Sequence, residues 1–215
     1  MARALLAPGI IFLGCAFVLS FLVSISLPFL SAMDIVRIHF GDDNQRALFG
    51  FTEIRLGIWT ACPYDVSNHR ECLKTGHGYA FQVINLVGGQ RETVSAAWTR
   101  GLAVHPVATA VTLGALVLAL TNHTLAASLV SFLAALLTLI AFAIDIALFA
   151  LVAHAMDKLK LGSNTNTAPG FWMTFVTVIL LLLAGCTVCF RHRKENMSAS
   201  ASYPMKGFFS RFDRN

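Results

Sequence analysis

The residues of this 215-residue chain with types suited to chemistry are few and far apart. Cys62 and Cys72 lie in a polar, aromatic stretch, while Cys186 and Cys189 stand immediately before Arg191-His192-Arg193-Lys194. Asp145 sits inside an otherwise uncharged apolar run. His39, His69, His77, His105 and His154 are scattered, and no two histidines have the i, i+4 spacing that puts a pair of imidazoles on one helix face for a metal. They are expected to be ordinary solvated or interfacial histidines. Gly88-Gly89 is a turn signal without the strand-to-helix context of a phosphate loop. The one acid–base arrangement available, Asp145 with a histidine at the membrane rim, is disfavoured, so the chain is expected to be no enzyme and to use no cofactor and no metal.

The elements that must position these residues are set by composition. Of the residues 56% are hydrophobic and 13% charged, with a mean hydropathy of +0.69; a soluble domain carries roughly a quarter charged residues. Between Arg100 and Asp145, 44 consecutive residues carry no Asp, Glu, Lys or Arg. The surplus of 16 basic over 11 acidic residues lies largely in one short tail, which argues against nucleic-acid binding. A spanning helix needs ~20 apolar residues. Four stretches meet that: 10–30, 104–120, 125–152 and 171–190, the middle two separated by a short turn at 121–124. The first is expected to be a span rather than a cleaved signal peptide, since its 21 apolar residues exceed the ~7–15 of a signal h-region. The third is longer than a bilayer needs, and is expected to tilt or project. The predicted fold class is an α-helical membrane protein: a four-transmembrane-helix bundle with a small extracellular antiparallel β-sheet.

Sidedness follows from Lys and Arg in short loops. The segment Ser31 to Arg100 is too long, at 70 residues, for its charges to count. Arg3, Arg191, Arg193 and Lys194 then place residues 1–9 and 191–215 in the cytoplasm, with 31–103 and 153–170 outside. Both sequons, Asn122-His123-Thr124 and Asn196-Met197-Ser198, fall on the cytoplasmic side and are expected to be unglycosylated.

The large loop holds seven basic and seven acidic residues. From Phe49, the alternation of Phe49, Phe51, Glu53 and Arg55 with Thr52, Ile54, Leu56 and Ile58 is a strand signal with the aliphatic parity inward. A second strand is expected at Tyr79–Val83. Cys62 and Cys72, the two cysteines of a loop placed where disulfides persist, are expected to pair, with two free buried thiols as the alternative.

Arg55-Leu56-Gly57-Ile58-Trp59, followed by Cys62 and Cys72, resembles the Gly-Leu/Ile-Trp and cysteine-pair signature of the claudin superfamily, in the first loop of a four-span chain. Its closest flavour is the fungal PalI and Sur group, which the Ala141-Phe142-Ala143-Ile144-Asp145 segment of the third span also resembles. The likeness covers roughly residues 10–193. It implies a claudin-like fold and a nonenzymatic plasma-membrane role: accessory to an ambient-pH signalling complex built on a larger multispan sensor, or organiser of eisosome-type membrane domains. Claudin-like self-association for adhesion or pore formation is the alternative. Membrane lipids and either a larger multispan protein or a second copy are the implied partners.

Gly57 permits a close backbone approach or a bulge. Trp59 is expected at the lipid interface, with its ring buried and its N–H hydrated. Asp145, counted down from Val152, is expected at the depth of Ser24, Thr112 and Thr177, forming a hydrogen-bonded polar layer that acts as interhelical glue or as a proton-sensitive site. Ala127, Ser131 and Ala135 recur every four residues as a close-packing stripe. Cys186 and Cys189 beside a basic run suit S-palmitoylation. The tail, with Phe208, Phe209 and Phe212 among its cations, suits an anionic leaflet.

Overall fold

A computed structural model describes residues 6–41, 50–85, 89–121, 123–160 and 162–201, with side chains described for 8–187 within them. Phe49, Asn122, the Cys189 side chain and the aromatic tail from residue 202 lie outside the described residues. The chain forms α1 (Leu6–Ser24), β1 (Val36–Phe40), β2 (Phe51–Leu56), β3 (Ala61–Asp65), β4 (Phe81–Ile84), β5 (Arg91–Val94), α2 (Ala96–Arg100), a 3-10 turn (Gly101–Ala103), α3 (Val104–Leu120), α4 (Thr124–Leu159), β6 (Ser163–Thr167) and α5 (Pro169–Ala201).

Helices are what uninterrupted apolar sequence must form in lipid, because only intra-segment hydrogen bonds satisfy the backbone there. Ala96–Leu120, Thr124–Leu159 and Pro169–Thr187 are long and apolar enough to cross a membrane; the apolar helix Pro8–Ser24 is shorter. α1 packs on α3 and α5, and α4 closes the bundle against the same two helices. At the end that carries the α3–α4 turn, the core is built from small side chains: Ala16, Ala115, Ala119, Ala127, Ala134, Ala135 and Ala184 surround Leu13 and Leu181. Ala127, Ser131 and Ala135 are all buried, and small side chains let helix backbones approach where no hydrophobic drive operates between helices. Leu129, Phe132, Leu133, Leu136 and Leu139 point outward from the same helix.

At the opposite end the core changes to large side chains, because α4 does not stop at Val152. It runs on to Leu159, and Leu148, Val152, Met156 and Leu159 pack against Val36, Ile38, Phe40 and Leu56 of the sheet. The surplus length of the third apolar stretch thus serves as the hydrophobic floor of the β domain. α4 ends where Lys160 turns left-handed at φ 50°.

The main sheet is antiparallel in the order β3-β2-β1-β6. Val36, Ile38 and Phe40 of β1 face the core, while Arg37 and His39 lie opposite Arg55 and Glu53 on the polar side. Ile54 is only half-buried, and the inward aliphatic parity of β2 is complete at Leu56 and Ile58. Two features differ from expectation. The strand near Tyr79 pairs with β5 to form a separate two-stranded sheet. The second loop, which has no apolar alternation to mark it, contributes β6, paired residue for residue with β1 from Val36↔Thr167 to Phe40↔Ser163.

Because the outer turns of α4 fill the sheet core, truncating Leu159, which is fully buried, should cost ~2–5 kcal/mol. Leu159→Ala is expected to make the β domain protease-sensitive at a lower temperature while Leu129→Ala, on the outward face, does not; limited proteolysis of the detergent-purified protein over a temperature ramp measures it.

Candidate functional site

The signature residues converge where the sheet meets the bundle. β2 ends at Leu56, and Gly57 to Thr60 form a tight connection in which the Gly57 N–H donates to the Thr60 carbonyl at 3.0 Å. A Cβ on Gly57 would lie 2.7 Å from the Leu27 Cβ and 3.0 Å from its nitrogen, so only glycine lets this connection press against the chain leaving α1. Next to it, the Ile58 N–H donates to Ser26 Oγ at 2.9 Å, and Trp59 Nε1 donates to the Ser24 carbonyl at 2.7 Å. That carbonyl belongs to the last turn of α1, where helix geometry leaves acceptors unmatched. Trp59 therefore caps the helix with its N–H satisfied by protein, a correction to the expected hydrated indole. Its ring meets His77 edge-on at 5.1 Å.

Tyr79 locks the connection from the other side. Its hydroxyl donates to the Gly57 carbonyl at 2.8 Å, and Thr99 Oγ1 of α2 donates to the Tyr79 carbonyl at 2.6 Å. Burial pushes the Tyr79 pKa up, so the phenol stays a donor.

Cys62 and Cys72 form a disulfide. The chain returning through it runs along β3: the Glu71 and Leu73 N–H groups donate to the Pro63 and Ala61 carbonyls at 3.1 and 3.0 Å, and Thr60 Oγ1 donates to the Leu73 carbonyl at 2.8 Å. The staple thereby closes one edge of the main sheet.

Two ionic contacts that the sequence did not single out brace the same region. Asp34, fully buried, accepts from Arg37 Nε and Nη2 at 2.8 Å each, a bidentate pair that raises the Arg37 pKa. The Asp34 carbonyl also accepts from the Gly170 N–H at 2.8 Å, and a Cβ on Gly170 would lie 2.7 Å from that oxygen. Arg55 pairs with Glu53, donates to the Ser31 carbonyl at 3.0 Å and lies 4.3 Å over the Tyr64 ring.

Within the helices the expected polar layer is rearranged. Asp145, Ser24, Thr112 and Thr177 are all buried, but the hydroxyls do not surround the carboxylate. Asp145 Oδ1 instead lies 3.0 Å from Nε2 of buried His105, at the start of α3. Ser24 Oγ bonds Thr109 Oγ1 at 2.7 Å, while Thr112 and Thr177 donate to the carbonyls of Ala108 and Met173 on their own helices. The physical reason is depth. Since α4 continues past Val152, Asp145 is 14 residues from its end, ~21 Å at ~1.5 Å per residue, and level with His105. Thr112 lies two turns further along α3.

Thr109 Oγ1 also contacts the His105 carbonyl at 3.0 Å, so Trp59, Ser24, Thr109, His105 and Asp145 form a continuous polar path from the sheet connection into the bundle. Cys186 is exposed on the bundle surface. Among the described residues no three of His, Cys, Asp and Glu come together as metal ligands.

The His105–Asp145 pair is expected to behave as packing glue. Asp145→Asn keeps an oxygen that accepts from the imidazole and should fold like the parent. Asp145→Leu leaves a buried ring without its partner and should cost ~1–3 kcal/mol. Thermal unfolding in detergent, with surface delivery as a second readout, separates the two; an Asn variant as unstable as the Leu variant would refute this assignment.

The geometry matches what comparison by sequence gives. A profile described as the SUR7/PalI family matches residues 5–187, which span the bundle, the stapled sheet and the Gly57-Ile58-Trp59 connection. Comparison with curated proteins gives no match. With most of its length covered by that profile and a claudin-like bundle-and-sheet architecture, the chain belongs to the SUR7/PalI family of membrane proteins.

Proposed function

We propose that the protein is a nonenzymatic plasma-membrane scaffold or accessory subunit, with the sheet outside the cell and both termini in the cytoplasm. The observation that carries this reading is how the signature residues are spent. Gly57, Ile58 and Trp59 hold the sheet to the end of α1, and the disulfide closes the β3 edge. What results is a braced surface held at a set height above the bundle, suited to contact rather than turnover. The disulfide supports the exoplasmic placement of the sheet, because such bonds persist there. The basic run from Arg191, at the far end of α5, supports a cytoplasmic tail lying against anionic lipid. Exposed Cys186, with Cys189 one turn on, is a candidate for acylation at that leaflet.

Membership of the SUR7/PalI family favours two settings for the scaffold: assistance to an ambient-pH-sensing signalling complex, or organisation of eisosome-type membrane domains. The partners in this reading are membrane lipids and either a larger multispan protein, as the pH-signalling setting implies, or a second copy.

Two measurements test the reading. Asn166→Thr creates a glycosylation acceptor at exposed Asn164, which should be modified, while protease added outside intact cells should leave a C-terminal tag whole. Purification in mild detergent should bring down a larger multispan protein at fixed stoichiometry. Homopolymeric strands without that partner would replace the accessory role with claudin-like self-association.

A further inference from the structure

The two edges of the main sheet are treated differently. The β3 edge is covered by the disulfide-stapled return, whereas β6, at the other edge, has no backbone partner on its outer side among the described residues. Its sequence, Ser163-Asn164-Thr165-Asn166-Thr167, lacks the usual defences of an exposed edge: no lysine, no proline and no bulge.

Beside this edge lies a cavity of about 310 Å³ between the last turns of α4 and β6, lined by Met156, His154, Asp157, Ser163 and Thr165. Ser163 and Thr165 share the register of core-facing Phe40 and Ile38, which turns them toward α4. The Ser163 hydroxyl is buried there and has no hydrogen-bond partner. Asp157 contributes a carboxylate that no described cation engages, the neighbouring Lys158 being directed to Glu92 at 3.8 Å. The site thus combines a row of free backbone groups with an adjoining pocket whose polar wall is the Asp157 carboxylate, the His154 imidazole and two hydroxyls, the two parts that strand-addition sites use for affinity and for specificity.

We infer that the β6 edge is a strand-addition site for an extended segment of a partner protein, one of whose side chains, a lysine or arginine, enters the pocket beside Asp157. The inference rests on the accessory-subunit reading and names its contact. A second copy in the same membrane is a poor occupant. β6 descends from the far end of α4 to the start of α5, so a neighbour of like orientation presents its own β6 running the same way. Two such edges cannot form the antiparallel pairing that every strand here adopts. The β3 edge of a neighbour, which does run the opposite way, is already occupied.

The test uses the full-length, detergent-purified protein and fluorescent heptapeptides of alternating valine and lysine, read by anisotropy. The lysine peptide should bind saturably, at least about tenfold tighter than its glutamate counterpart. Methylating alternate amides should abolish binding in one of the two phases, since only one set of N–H groups faces the strand. Asp157→Asn should erase the preference for lysine over glutamate, and Thr165→Pro should remove binding of both; a peptide preference unchanged by Asp157→Asn overturns the site even if the proline variant fails to fold. Binding that survives methylation in both phases overturns it too. Detergent co-purification keeps the two proposals apart: a multispan partner retained by both Asp157→Asn and Thr165→Pro as by the parent removes the strand-addition site and leaves the accessory role standing.

Discussion

Everything outside the helices depends on the short connection from Leu56 to Ala61 being pressed against the end of α1. A small four-stranded sheet has too thin a core of its own to hold position, and it gains one by sitting on the outer turns of α4. That seating requires the β2–β3 connection to come within van der Waals reach of Leu27 without a side chain between them, which glycine alone allows. The hydrogen bonds from Ile58 and Trp59 fix the sheet to the chain leaving α1, and the one from Trp59 also satisfies a carbonyl at the end of a helix that is shorter than the others. The signature that identifies the family is, physically, a joint.

The disulfide and the Tyr79 hydrogen bond hold that joint from the outside. The staple lines the returning chain along β3, and Tyr79, buried and protonated, grips the Gly57 carbonyl while α2 grips Tyr79. Further in, Ser24 shares its hydroxyl with Thr109, whose helix begins with the histidine that meets Asp145. Asp34 does comparable work on the opposite side, tying the start of β1 to Arg37 and to the first turn of α5. These contacts pair polar groups across element boundaries, while Asp145 Oδ2 and the Tyr64 hydroxyl stay buried without a hydrogen-bond partner among the described residues.

Much of this is legible in the chain before any coordinates. The apolar stretches, the Gly57-Ile58-Trp59 and cysteine-pair spacing and the alternation of β2 are local signals; each apolar stretch is helical, though the first, read as a span over 10–30, ends as a helix at Ser24 and is shorter than the other three. What fails is whatever depends on distant residues. β6 is a row of serine, asparagine and threonine that becomes a strand only because β1 needs a neighbour. A rim histidine beside Asp145 is legible as a disfavoured acid–base pair, but depth counted from Val152 sets Asp145 level with Ser24, Thr112 and Thr177; only with α4 continuing to Leu159 does it fall level with His105. Ser26, Tyr79 and Asp34 leave no mark in a periodicity, since their roles are single hydrogen bonds to chain that is remote in sequence.

The continuity of α4 carries one more consequence. Its first five turns belong to the helix bundle and its last ones to the core of the sheet, with no hinge residue between Thr124 and Leu159. The β domain is therefore not suspended on loops that swing. It stands on a mast, its distal rim ~21 Å beyond Asp145. A tilt or rotation of that helix in the lipid is transmitted to the sheet as a rigid displacement, and bilayer thickness bears directly on how high the sheet stands.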